Sequence, residues 1–156
     1  MKKNGLAAYF LIILLFTFAV WFGIQLGQDD KTLVVDNDKA LVELFLHEKG
    51  YEIISSKGLV ETYVLTHELV QTLPYKRTWH LPGNNPAALY GKQIDVYHHT
   101  VKNHPLDLFT CCKMKPSGKT NTFVFVSEHQ IVGGTSYPVT PEPLMGGSWS
   151  LDGTSQ

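Results

Sequence analysis

Polar and apolar positions divide this chain into three regimes. From Leu6 to Leu26 the residues are apolar except for Thr17, Gly23 and Gln25, and no charged residue lies between Lys3 and Asp29. A helix over 6–26 is about 31 Å long at roughly 1.5 Å per residue, the thickness of a hydrocarbon core. From Asp38 to Lys49 the pattern becomes amphipathic. Ala40, Leu41, Val42, Leu44, Phe45 and Leu46 form a broad apolar arc, opposed by Lys39, Glu43, His47 and Lys49. Asp36-Asn37-Asp38 supplies capping oxygens and negative charge at its start, and Gly50 suits its end. Phe45 shares a face with Leu41 and Leu44 and is expected to be buried against a sheet.

Beyond Gly50 the period drops to two. Tyr51–Ile54 and Leu59–Thr66 predict two strands joined by a turn at Ser55-Ser56-Lys57-Gly58. Lys92–Asn103 alternates, with Ile94, Val96 and His98 on one face. Asn121–Ser127 predicts a strand that meets Gln130–Gly133 across a two-residue hairpin at Glu128-His129. Phe109–Lys115 is placed to pair with Asn121–Ser127 across Pro116-Ser117-Gly118-Lys119. The prolines and glycines of His67–Tyr90 leave room for loop and short helical turns only. Gly133-Gly134 marks a bulge or bend where the strand leaves the sheet, and the tail from Tyr137 is expected to wrap the domain edge. The fold class is α+β: a transmembrane helix, then one amphipathic helix packed on an antiparallel sheet of about four to six strands.

Charge orients the anchor. Lys2 and Lys3 precede the apolar run and Asp29-Asp30 follow it, so the positive-inside bias puts the N-terminus in the cytoplasm. The expected organisation is a cytoplasmic stub at 1–5, a signal anchor at 6–26, a juxtamembrane linker at 27–35 and an extracytoplasmic domain at 36–156. A cleavable leader would have a shorter apolar region and an A-x-A-like site, whereas Thr17-Phe18-Ala19 sits mid-run. Lys and Arg number 13 against 14 Asp and Glu, and they form no basic block. That excludes the phosphate-binding footprint of a nucleic-acid partner.

Candidate chemistry is sparse. His98 and His99 point to opposite faces of a strand, which denies them a shared metal ion, and Pro105 ends the strand just after His104. No H-x-x-x-H or C-x-x-C pair exists, so the histidines read as surface or partly buried side chains. Cys111 and Cys112 are neighbours, too close in Cα separation for an ordinary disulfide. As strand residues, one thiol would face the core and the other solvent. There is no G-x-S-x-G elbow, and Glu61, Glu68, Asp95 and Asp107 are scattered. His129 stands at a hairpin tip, a poor place to hold a base. No catalytic, cofactor-binding or metal-binding residue is assigned.

Four blocks carry a resemblance: ALVELFLHEKGYEI (Ala40–Ile53), VKNHP (Val101–Pro105), FVFVSEHQIVGGTS (Phe123–Ser136) and PLMGGSWSLDG (Pro143–Gly153). Together they resemble an uncharacterised family of small membrane-anchored extracytoplasmic domains of Gram-positive, often spore-forming, bacteria. The resemblance implies the architecture and the address, and it brings no catalytic residue. The expected function is a tethered, non-enzymatic envelope module that binds a protein, peptide or cell-wall component. The alternative is an envelope hydrolase or thiol-active enzyme using Cys112 or His98.

Overall fold

The computed structural model describes residues 29–111, 115–141 and 147–155, with side chains from Asn37 onward. The expected anchor at 6–26 lies outside these residues. Among the described residues no helix is long and apolar enough to cross a membrane. The chain divides into two units, Met1–Asn37 and Asp38–Gln156. The described part of the first is helical; the second is an α+β domain with a four-stranded antiparallel sheet whose strands lie side by side in chain order.

Helix α1 spans Asp29–Glu48, nine residues ahead of its expected start. The linker expected at 27–35 is therefore helical from Asp29 onward. No proline or glycine interrupts Asp29–Glu48, and Asp29-Asp30 places acidic residues in the first turn, where the helix dipole favours them. Asp36-Asn37-Asp38 consequently lies inside the helix. Among its described side chains Val42 and Leu46 are fully buried, with Phe45 partly buried beside them. Leu44 is 58% exposed, a correction to the expected face. Residues 42, 45 and 46 make a narrower i, i+3, i+4 stripe over the sheet, and the neighbouring row through Leu44 points past it.

Strand β1 is one 13-residue element, Glu52–Val64, and not two strands with a turn. Three register shifts against its neighbour, strand Gln93–Lys102, at Ile54, Lys57 and Val60 absorb the extra residues. The turn-like composition of Ser55–Gly58 is that of a bulged edge strand, where each extra residue bends and twists the ladder without breaking it. Strand β2 (Gln93–Lys102) pairs with β1 and with β3 (Thr120–Ser127), and β3 pairs in turn with β4 (Gln130–Pro138). Both sides of β3 are thus filled, and the described residues of Phe109–Lys115 are not a strand. The β3–β4 connection is the expected hairpin. Glu128 and His129 both adopt positive φ, 50° and 61°, as a two-residue turn matched to strand twist requires.

Two hydrophobic clusters cover the two faces of the sheet. On one face Val42 and Leu46 pack on Tyr97, Val101, Val124 and Val126. The other face carries Ile94, Val96 and Phe125, covered by Leu65, Val70, Trp79 and Leu89. That cover comes from the β1–β2 excursion, built of two short helices, α2 (His67–Gln71) and α3 (Tyr75–Trp79), and a 3-10 turn at Pro86–Ala88. Burial on both faces explains why the consecutive β2 residues Val96, Tyr97, His98 and His99 are all buried.

The free edge of β4 is closed by groups that imitate a further strand. The Asn84 side-chain amide accepts from Gly134 N–H at 2.8 Å and donates to Gly134 C=O at 3.1 Å. Two residues on, Ser136 N–H donates to the Trp149 carbonyl at 2.8 Å. Asn84 also donates to the Thr78 carbonyl at 2.7 Å, tying the excursion to the sheet. Asn84→Ala leaves these backbone groups without their partner and is expected to cost about 2 kcal/mol, measured by urea denaturation. An unchanged midpoint would show the amide to be dispensable.

The tail wraps the domain as expected. Leu151 is buried in the helix-side cluster, and its carbonyl accepts from Tyr51 Oη at 2.9 Å. Ser136 Oγ donates to the Ser150 carbonyl at 2.6 Å and Thr135 Oγ1 to that of Trp149 at 2.9 Å. A 2.6 Å Lys49–Asp152 ion pair closes the tail onto α1.

Candidate functional site

The excursion does not cover the whole second face of the sheet. Between its α3 helix and the strands runs a groove of about 270 Å³, floored by Val96 of β2, Phe123 and Phe125 of β3, and Thr135 and Tyr137 of β4. Glu61 and Tyr63 of β1 close one end, while Pro74, Tyr75 and Thr78 form the roof. The strand period of two is what aligns these side chains. Phe123 and Phe125 share a face because they are two apart, and antiparallel pairing sets Thr135 directly beside Phe123.

The aromatic rings hold one another in place. Tyr63 and Tyr75 meet edge to face, 5.0 Å apart at 65°, an arrangement their quadrupoles favour. Tyr75 Oη donates to Glu61 Oε1 at 2.6 Å, and Trp79 Nε1 donates to Tyr63 Oη at 3.1 Å. Along the floor, His98 stacks on Phe123 at 4.5 Å and 10°, and Phe123 meets Tyr137 edge to face at 5.9 Å. Tyr137 continues to Trp149 at 6.4 Å, and Trp149 to Phe109 at 5.0 Å. The series passes from β2 to β4 and on to the tail.

Electrostatically the groove is simple. Glu61 is the carboxylate among its lining residues, and its hydrogen bond to Tyr75 raises that hydroxyl's pKa. The Tyr63 hydroxyl is raised too, mainly by burial. Both therefore stay protonated and present O–H groups.

The residues singled out from the sequence do not gather here. His98 and His99 do face opposite ways. Contrary to the surface or half-buried placement expected of them, His98, His99 and His104 are 7%, 0% and 3% exposed. His98 Nε2 lies 3.2 Å from Asn121 Oδ1. His99 sits beneath α1, with Nε2 3.1 Å from Ser56 Oγ and 3.7 Å from Glu43 Oε1. His104 caps the 3-10 turn Pro105–Leu108: Nδ1 accepts from Leu106 N–H at 3.1 Å, so Nε2 carries the proton and donates to the Leu151 carbonyl at 3.0 Å. His129, at the hairpin tip, pairs with Asp38 at 2.9 Å. Among the described residues no group of three or more His, Cys, Asp or Glu side chains converges as a metal site. Cys111 is half-buried in a loop and not in a strand; Cys112 lies outside the described residues.

Burial pushes the pKa of His98, His99 and His104 below the ordinary value of 6.5. The unfolded chain then binds protons that the folded chain refuses. Stability is expected to be complete above pH 6.5 and to fall as pH drops through that value toward the lowered folded pKa values. Each histidine contributes a slope of up to about 1.4 kcal/mol per pH unit. Denaturant unfolding at a series of pH values checks this, and a flat profile between pH 7.5 and 5.5 would refute it.

The groove's aromatics escaped the sequence reading, although the alternation of Phe123 and Phe125 and the position of Tyr137 were visible in it. No protein-family model, curated protein or solved structure matches this chain.

Proposed function

We propose that the chain is a membrane-tethered, non-enzymatic module of the cell envelope that binds a protein, peptide or cell-wall component in the aromatic groove. Residues 6–26 are its anchor, with the N-terminus cytoplasmic and the domain outside. The observation that carries this reading is the groove itself. It is an apolar channel across the sheet, with a few hydroxyls and, among its described residues, one carboxylate to orient a ligand, which is the general composition of recognition sites. The uncharged Leu6–Leu26 run and its flanking charges support the address. The four blocks that resemble membrane-anchored extracytoplasmic domains support it as well.

A photo-crosslinking amino acid placed at Tyr137 in the full chain, in cells, tests the reading. A discrete adduct is expected, and Phe123→Ala should abolish it. Loss of the cellular role in a Cys112→Ser variant that still folds, with the adduct unaffected by Phe123→Ala, would instead favour thiol chemistry.

A further inference from the structure

The corner of the groove between β1 and α3 has the composition of a cation site. Tyr63 and Tyr75, packed edge to face, turn an aromatic surface to the corner, and Glu61 stands beside them with its carboxylate held by Tyr75 Oη at 2.6 Å. Phe123, Phe125 and Tyr137 extend the aromatic lining. Among the described residues no Lys or Arg lines the groove; Arg77, on the same short helix, opens into a neighbouring depression with Leu81, Phe109 and Trp149. Among the described residues the carboxylate therefore faces the groove without a cation to neutralise it there. Aromatic faces attract an ammonium or guanidinium group, and the exposed Glu61 carboxylate is open to one arriving from solvent.

Charge complementarity selects one occupant. We propose that the groove binds a peptide segment by a lysine or arginine side chain, whose charged end sits at Glu61 beside the Tyr63 and Tyr75 rings and whose aliphatic stem lies along Phe123 and Tyr137. A neutral glycan could stack on the rings but would leave the carboxylate without a counter-charge. A nucleic acid would bring phosphates toward it. This inference rests on the reading of the groove as a binding site and names its ligand class.

The geometry makes separate demands on the two parts of the ligand. The stem needs the apolar floor, and the charge needs Glu61. Glu61→Gln removes the charge while keeping an acceptor for Tyr75, so the groove's shape survives. Phe123→Ala removes the floor and leaves the charge.

The test uses the full chain in a non-ionic polyoxyethylene detergent, with binding followed by NMR shifts of the Val96, Thr135 and Phe125 signals. The probes are a capped Leu-Lys-Leu tripeptide, the same peptide acetylated on its lysine, and a chitin-type oligosaccharide. The lysine peptide is expected to shift these signals, acetylation to weaken binding about tenfold or more, and Glu61→Gln to weaken it by a similar factor. The acetylated peptide should bind wild type and Glu61→Gln alike. Equal binding of both peptides, or an unchanged affinity in Glu61→Gln, would overturn the cation site while leaving the groove as an apolar binding site. A response to the oligosaccharide without one to the lysine peptide would overturn the peptide assignment. No response of the groove signals to any probe, together with no Tyr137 adduct in cells, would overturn both this inference and the binding reading beneath it.

Discussion

Trp79→Ala is expected to destabilise the domain by about 3–5 kcal/mol, the usual cost of emptying a buried tryptophan site and a large part of a typical total of about 5–15 kcal/mol. Trp79 is fully buried, packs on Phe125 with ring centroids 5.1 Å apart, and donates its indole N–H to Tyr63. It is the largest side chain by which the excursion grips the second face of the sheet. Losing it should loosen the whole segment 67–90, which forms the roof of the groove. Urea denaturation reads both consequences: a lower midpoint for lost stability, and a lower slope if the segment has already come away in the native state. Trp79→Phe keeps most of the packing and loses the hydrogen bond, so about 1 kcal/mol is expected for it. A loss below ~1 kcal/mol for the alanine variant would mean that the excursion does not pack as described.

Gly134→Ala should be nearly as damaging, for the opposite reason. A Cβ at Gly134 would stand 2.5 Å from the Phe123 carbonyl oxygen and 2.8 Å from Leu151 Cδ1. The first of these is backbone of the paired strand and cannot swing aside. Strands β3 and β4 must part, and Asn84 would lose its alignment on both polar groups of residue 134. About 3 kcal/mol is expected, the upper part of the range for inserting atoms into a packed site. Adding Leu151→Ala should not restore stability, because the carbonyl remains. Recovery in the double variant, measured by thermal unfolding, would place the conflict at Leu151 and not at the strand.

The Gly-Gly pair shows where sequence reasoning reached and where it stopped. A bulge was legible from it, and one exists: Phe125 opposes Gly133 and Val126 opposes Ile131, leaving Val132 extra. The strand does not leave the sheet there, however, but continues to Pro138. What requires the glycines is the close approach of Asn84 to Gly133 and of the Phe123 carbonyl to Gly134, 49 and 11 positions away, and no local pattern encodes such contacts. The same holds for His104, whose cap depends on a carbonyl at the far end of the chain. The hairpin, the β2 strand and the α+β class were legible because each rests on periodicity or turn chemistry within a few residues. The division of β1 into two strands failed because Ser, Lys and Gly have the same composition in a turn as in an edge strand with bulges. The groove was hidden for a related reason. Its aromatics lie on three strands and a short helix, and only the pairing register shows that they share one face.

The interrupted register of β1 also governs how the domain meets others of its kind. Ile54, Leu59, Val60 and Val64 are exposed on this edge strand, a composition that invites a neighbouring chain to add a strand. Growth by such addition needs an unbroken row of backbone groups at regular spacing, and the displaced residues at Ile54, Lys57 and Val60 break that row into three pieces of two residues and one of four. At the opposite edge, Asn84 and the Trp149 carbonyl already occupy positions that an incoming strand would take. Copies of this domain crowded together therefore have apolar edges that can touch but no template along which fibrils can grow.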